Sequence, residues 1–273
     1  MQVVRTLCAA FVLLACLGPA VAQERGLRAL ITADETKGWE AVGRLNLGDS
    51  GFCTGALIAP DLVLTAAHCL FDKTSGAAYS PGDIEFLAGW RNGRAAAYRN
   101  VRRAVAHPDY IYEGPDKMDR VAFDLAVLQL DQPIRLPSIK PFETFHDPQD
   151  GDPVDVVSYA LDRSEAPSLQ EGCHVIGRQP GILVMSCEVD FGSSGAPVFT
   201  VGGDGVAKIV SVVSAKAEMD SKVVALGTAM EQPLAELMAV FAQGSRLVSR
   251  VVPANGSGPV LQRATGGAKF LKP

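Results

Sequence analysis

The sequence predicts an all-β protein with a single helix near its C-terminus. Twelve short apolar runs recur along the chain, from Ala41–Leu47 to Val223–Thr228, each closed off by Gly, Pro, Asp or Ser. That punctuation is typical of the strands of a sandwich or of barrels. The 27 Gly and 17 Pro among 273 residues supply the turns that so many short elements need. Helical periodicity is confined to Met230–Ala242, where Leu234, Leu237, Met238 and Phe241 stand at i, i+3, i+4 and i+7 and share one face.

The chain opens on an address rather than on part of a fold. Arg5 precedes the apolar stretch Leu7–Leu17, Gly18-Pro19 breaks it, and Ala20-Val21-Ala22 forms an A-x-A cleavage site. The expected product is cut after Ala22 and is secreted or periplasmic. The stretch is too short to span a bilayer, so no membrane anchor is expected in the mature form. Two rival readings exist. Leu13-Leu14-Ala15-Cys16 resembles a lipoprotein box that would acylate Cys16. A buried N-terminal helix would leave the charged–apolar–small order unexplained.

The remaining elements follow in order. Residues 23–37 form an N-terminal segment. Residues 38–145 hold the runs Ala41–Leu47, Gly55–Ile58, Leu62–Thr65, Ile84–Ala88, Val101–Ala106 and Leu125–Leu130. Asp131–Pro153 contains five prolines and reads as a linker. Residues 146–229 hold Val154–Tyr159, His174–Arg178, Ile182–Cys187, Pro197–Val201, Ala207–Val213 and Val223–Thr228; the helix covers 230–243 and a flexible tail 244–273.

Charge and cysteine content narrow the function. The net charge of −5 offers no basic footprint for nucleic acid. Cys8 and Cys16 leave with the leader, and Cys53, Cys69, Cys173 and Cys187 remain. Four cysteines in an oxidising compartment imply two disulfides, with three connectivities open. His68 and His174 each sit beside a cysteine, but there is no C-x-x-C spacing and adjacent strand residues point opposite ways. No metal and no cofactor are therefore expected.

Three separated blocks carry the chemistry: Val63-Leu64-Thr65-Ala66-Ala67-His68-Cys69, then Asp124-Leu125-Ala126-Val127-Leu128-Gln129-Leu130, then Gly192-Ser193-Ser194-Gly195-Ala196-Pro197. A serine hydroxyl needs an adjacent base to become a nucleophile. Histidine can take that proton and return it to a leaving amine, and a buried carboxylate fixes the imidazole tautomer. In these motifs and in their order the sequence resembles the chymotrypsin/trypsin-like serine peptidases over roughly residues 38–241. The resemblance implies two antiparallel six-stranded β-barrels with a catalytic cleft between them. It also implies a monomeric endopeptidase acting on protein or peptide substrates, with Ser194 as nucleophile, His68 as general base and acid, and Asp124 as orienter. It places the oxyanion hole at the N–H groups of Gly192 and Ser194. Pro197, three residues on, selects Ser194 over Ser193, and Asp124 opens an apolar strand where Asp116 and Asp119 do not. His107 falls in the structural H-P-x-Y turn, while His146 and His174 read as surface or strand residues. The cysteines fit the same fold as Cys53–Cys69, fixing the loop of His68, and Cys173–Cys187, stapling a hairpin around Pro180-Gly181.

The departures from the family are informative. Animal trypsins carry Asp before the serine, where it pairs with a freed Ile-Val-Gly-Gly terminus. Here the residue is Ser193 and the nearest counterpart is Arg28-Ala29-Leu30-Ile31. Both halves of that switch are missing together, as in the bacterial glutamyl-endopeptidase-like branch, so activity is expected not to depend on a freed Ile-type terminus. For specificity, Glu188, or Asp190 in an offset loop, invites basic side chains, whereas Lys216 beside Ser214 invites acidic ones. Val213 stands where glutamate-specific members have histidine. The alternative function is a non-catalytic binding protein that keeps the peptidase fold.

Overall fold

The computed structural model describes residues 26–49, 51–113, 117–145 and 148–244, together with the backbone of Lys269–Phe270. The leader 1–22 with Cys8 and Cys16, and also Asp116, His146 and most of the tail, lie outside the described residues.

Fourteen strands and two α-helices order residues 26–244. The first barrel consists of β2 (Val42–Leu47), β3 (Gly51–Ala59), β4 (Leu62–Thr65), β5 (Ile84–Ala88), β6 (Ala97–Ala106) and β7 (Ala126–Leu130), closed in the order β2-β3-β4-β7-β6-β5. The second consists of β9 (Pro153–Ala160), β10 (Arg163–Gln179), β11 (Ile182–Met185), β12 (Pro197–Val201), β13 (Ala207–Met219) and β14 (Lys222–Ala229), and the pairing of β9 with β10 closes it. All pairings within the two barrels are antiparallel. Two six-stranded barrels and a terminal helix are thus what the sequence predicts.

Alternation explains the strands. In β2 the pattern Val-Gly-Arg-Leu-Asn-Leu sends Leu45 and Leu47 inward, and Leu45 is completely buried beside Leu57, Ile84, Phe86 and Leu128. The second barrel packs Val156, Val175, Met185, Val198, Val210 and Ala225 into a core of its own. The predicted helix is α2 (Glu231–Ala242), with Leu234 and Leu237 buried and Met238 and Phe241 packed against the first barrel's core. It crosses back from the second barrel to the first, where Arg103 donates to the Phe241 carbonyl (2.8 Å) and lies over the Phe241 ring (4.4 Å).

Some elements differ from expectation. Helix is not confined to the end of the chain: α1 (Lys117–Ala122) forms just before Asp124, a six-residue element too short to show a period. Strand β10 is much longer than the run His174–Arg178, because a bulge at Gly172 (φ +75°) lets it continue through a glycine that reads as a break. Two-residue strands also form, β1 (Arg28–Ala29) on β10 and β8 (Glu143–Thr144), parallel to β13 within the proline-rich stretch. The Lys269–Phe270 backbone pairs antiparallel with β13 at Ala217 and Glu218. Among the described residues no helix is long and apolar enough to cross a membrane.

Candidate active site

His68 sits in a one-turn 3-10 helix, Ala67–Leu70, directly after β4. Two features hold that turn. Ala66 and Ala67 are completely buried, and Cys69 is bonded to Cys53 of β3. Asp124 follows α1 and precedes β7, and only 3% of it is exposed. Its carboxylate accepts three hydrogen bonds: His68 N–H to Oδ1 (2.8 Å), His68 Nδ1 to Oδ2 (2.6 Å) and Ser214 Oγ to Oδ2 (2.5 Å). An ionised carboxylate only accepts, so Nδ1 carries the hydrogen and Nε2 presents its lone pair.

Ser214 reaches Asp124 because β13 shifts register against β14 between Val213 and Ala215, which turns this one residue out of the ladder. From the other side, Thr228 of β14 donates to the carbonyls of Val121 (2.7 Å) and Asp124 (3.2 Å). The second barrel therefore grips the segment that carries the first barrel's carboxylate.

Ser194 lies in a tight loop between β11 and β12. Gly192 takes φ +93°, and a Cβ there would meet the Phe52 ring at 2.3 Å and Ala160 Cα at 2.9 Å. Gly195 takes φ +77°, and a Cβ there would meet Thr65 Oγ1 at 2.2 Å. Both positions exclude side chains by backbone conformation and by space. The Ser194 carbonyl accepts Thr54 N–H (2.8 Å) and Gly195 N–H donates to the Val213 carbonyl (2.8 Å). The N–H groups of Gly192 and Ser194 find no acceptor among the described residues.

Sequence reading missed Thr54. Its side chain, completely buried on β3, donates to the Gly192 carbonyl (2.9 Å) and accepts Tyr159 N–H (3.0 Å). One threonine thus fastens the Ser194 loop to the first barrel at both Gly192 and Ser194. In the sequence it is only a strand residue between a cysteine and a glycine, with no signal of its own.

A cavity of about 600 Å³ opens between the barrels and is lined by His68, Asp124, Ser194 and Ser214 together. Lys216 and Asp190 also line it, as do Lys73, Lys117 and Arg120. Glu188 is not among the lining residues: it is exposed, and its N–H is taken by Gln170 Oε1 (2.7 Å), whereas Asp190, the other acid the sequence offers, does line the cavity. Phe191 stands at the rim, with the Lys73 ammonium 5.6 Å from its ring centre. Tyr110 forms part of the wall, its hydroxyl pushed far up from its ordinary pKa by burial and by the Asp124 charge. The second disulfide, Cys173–Cys187, staples β10 to the segment after β11.

A family model described as a trypsin-like peptidase domain matches residues 53–207, more than half of the chain. The chain belongs to the trypsin-like peptidase family. It is 34% identical over 86 residues to the modular serine protease of Drosophila melanogaster, 31% of this chain and 14% of that protein. It is 32% identical over 102 residues to the complement C1r-B subcomponent of Mus musculus, 34% of this chain and 14% of that protein. The match therefore spans about 14% of the length of each of these two relatives. Among solved structures, one described as Glu endopeptidase in complex with MPD superposes with a TM-score of 0.65 at 17% identity, covering 81% of this chain and 97% of the other. At that identity the likeness is one of fold.

Of the other described histidines, His107 and His174, neither lines the cavity. His107, in the turn the family resemblance calls structural, is buried against Phe123 (5.0 Å between ring centres) and approaches Glu236 of α2 (3.2 Å). His174 lies on β10, its N–H donating to Ser186 Oγ (3.0 Å).

Proposed function

We propose that this chain is an exported serine endopeptidase in which Ser194, His68 and Asp124 act as nucleophile, base and orienter. The observation that carries the reading is the hydrogen-bond chain Ser214–Asp124–His68 ending in a cavity that also holds Ser194. In acylation the Ser194 Oγ attacks the scissile carbonyl carbon and its proton passes to His68 Nε2. The oxyanion that forms accepts from the N–H groups of Gly192 and Ser194, each worth about 3 kcal/mol in the transition state. The C–N bond then breaks, and the amine leaves with the proton from His68. Water enters with His68 again as base, the ester C–O bond breaks, and Ser194 recovers its proton as the acid product departs. Export agrees with the two disulfides and with the A-x-A leader.

For substrates, the cavity favours acidic segments. Four cations, Lys73, Lys117, Arg120 and Lys216, line it against one exposed acid, Asp190, on a chain whose net charge is −5. A cleft walled by one sign of charge concentrates ligands of the other.

Hydrolysis of casein by the purified, disulfide-bonded protein tests the reading. We expect cleavage by the native chain and none by Ser194→Ala of unchanged fold. A native chain that leaves casein and a diverse peptide library intact contradicts it and favours a binding module. Cleavage sites in the library are expected to cluster beside Asp and Glu.

A further inference from the structure

Ser193 replaces the aspartate on which the usual trypsin switch depends, and its surroundings show a different device. The residue is completely buried. Its N–H donates to the Asp190 carbonyl and its own carbonyl accepts Ala196 N–H, both at 2.9 Å. Its hydroxyl donates to Ser158 Oγ (3.2 Å) and accepts Asp190 N–H (3.4 Å). Ser158, completely buried on β9, in turn accepts Arg163 Nη1 at both Oγ and its carbonyl, each at 3.3 Å. Arg163 opens β10 opposite Ala160 with its side chain 15% exposed, and its Nε lies 3.8 Å from Asp162.

We propose that Arg163, acting through Ser158 and Ser193, is the positioning residue that holds the Gly192–Ser194 loop in its reactive form, in place of an N-terminal ammonium. The inference rests on the peptidase reading above. A guanidinium keeps its charge across the physiological range and spreads it over a fixed fork of donors. Donating to Ser158 Oγ, it leaves that oxygen able to accept the Ser193 hydroxyl as well, and successive bonds of this kind polarise one another. Burial disfavours the Arg163 charge, while the fields of Asp162, Asp190 and Glu188 support it.

The described part of the N-terminal segment, from Gly26 on, docks away from the loop. Ala29 pairs with Ser168 and Ser168 with Ser158, so β1 is separated from Ser158 by β10. Leu30 is completely buried and its N–H donates to the Pro167 carbonyl (2.8 Å), while the Ile31 N–H is taken by Glu35 (3.0 Å). An ammonium driven toward Ser193 would meet a neutral hydroxyl rather than the adjacent carboxylate that pairs with it in animal trypsins.

The test is the labelling kinetics of the full disulfide-bonded protein with a fluorophosphonate–rhodamine probe. In that reaction the Ser194 Oγ–P bond forms as the P–F bond breaks, fluoride leaves, His68 takes the serine proton and the phosphoryl oxygen enters the oxyanion site. Arg163→Met, Ser158→Ala and Ser193→Ala are each expected to lower the limiting rate kinact about 10- to 100-fold, the scale of a small misplacement of reacting groups. KI is expected to stay within twofold, because the loop acts on the transition state. Ser158→Ala/Ser193→Ala should be no slower than the slower single variant, since both break one chain, and Arg163→Lys should recover part of the rate. If Arg163→Met does not fold, the two serine variants, which each remove one hydroxyl, carry the test. A native protein that labels while the variants label equally fast overturns the relay alone, as do losses that multiply in the double variant. A native protein that does not label overturns the peptidase reading itself.

Discussion

The two barrels contribute to the site in different ways. The first is an apolar frame: Leu45, Leu57, Leu64, Phe86, Leu125 and Leu128 fill it, and it presents His68 and Asp124 from short segments at its end, joined by direct side-chain bonds. The second carries a buried polar seam of Ser158, Ser168, Gln170, Ser193, Ser211 and Thr228, and it presents a loop whose shape comes from hydrogen bonds to that seam and to Thr54. A rigid apolar core aims a side chain well, because packing leaves it one rotamer. An oxyanion site is made of backbone N–H groups, and backbone is aimed by satisfying its neighbouring carbonyls and N–H groups, which needs polar partners. Damage to the first barrel's apolar core should therefore be felt through His68 and Asp124, and damage to the polar contacts of the Ser194 loop, Thr54 of the first barrel included, through the geometry of the loop.

The largest effects are expected at the triad. Ser194→Ala and His68→Ala should each remove nearly all turnover, and Asp124→Asn should lower kcat on the order of 10⁴-fold by reversing the His68 tautomer. Steady-state hydrolysis with circular dichroism as the check on fold measures this, and near-native turnover in any of the three contradicts the assignment.

The disulfides sharpen the comparison. Sequence separations of 16 and 14 residues give the two bonds similar loop entropies, about 3 kcal/mol each. Replacing Cys53 and Cys69 by serine should cost activity as well as stability, because Cys69 is next to His68. Replacing Cys173 and Cys187 should cost stability at similar magnitude with less loss of kcat. Thermal melts alongside kcat separate the two, and equal loss of kcat in both pairs would break the division of labour.

Thr54→Val comes next. It keeps the shape and removes the hydroxyl that serves Gly192 and Tyr159, leaving buried groups unpaired at about 1–3 kcal/mol. We expect a lower kcat with KM nearly unchanged. A changed KM with kcat intact would place Thr54 in substrate binding instead.

The smallest effect is a pH dependence in the first barrel. Burial holds the His107 pKa below its ordinary 6.5, against the pull of Asp109 and Glu236. The unfolded chain therefore binds a proton that the folded chain resists. Stability is full above about pH 6.5 and falls as the pH drops toward the folded value, by at most about 1.4 kcal/mol per unit. Denaturant titrations between pH 7.5 and 5 should show that slope, and His107→Gln should flatten it; an unchanged slope would clear His107 of the role.

Much of this was legible in the sequence, for physical reasons. Strand alternation and turn residues carry the barrels, and His68, Asp124 and Ser194 stand in local motifs because each needs a particular turn or strand end beside it. What was not legible depends on contacts distant along the chain. Thr54 meets Gly192 across 138 positions, and neither residue marks the other. Arg163 is an unremarkable charge until β9 and β10 bring it to Ser158. Which of Glu188 and Asp190 borders the cavity depends on where the loop turns, which counting back from Ser194 does not give. Helix α1 was invisible because six residues make too few turns for a pattern.

We propose that Ser194 is the reactive serine and that folding of both barrels makes it so. Peptide mapping of the native protein after reaction with diisopropyl fluorophosphate tests it most directly. One adduct per chain is expected, on Ser194, abolished by unfolding and strongly slowed in His68→Ala. An adduct on Ser193 or on another residue, or none on a folded chain with both disulfides formed, would contradict it.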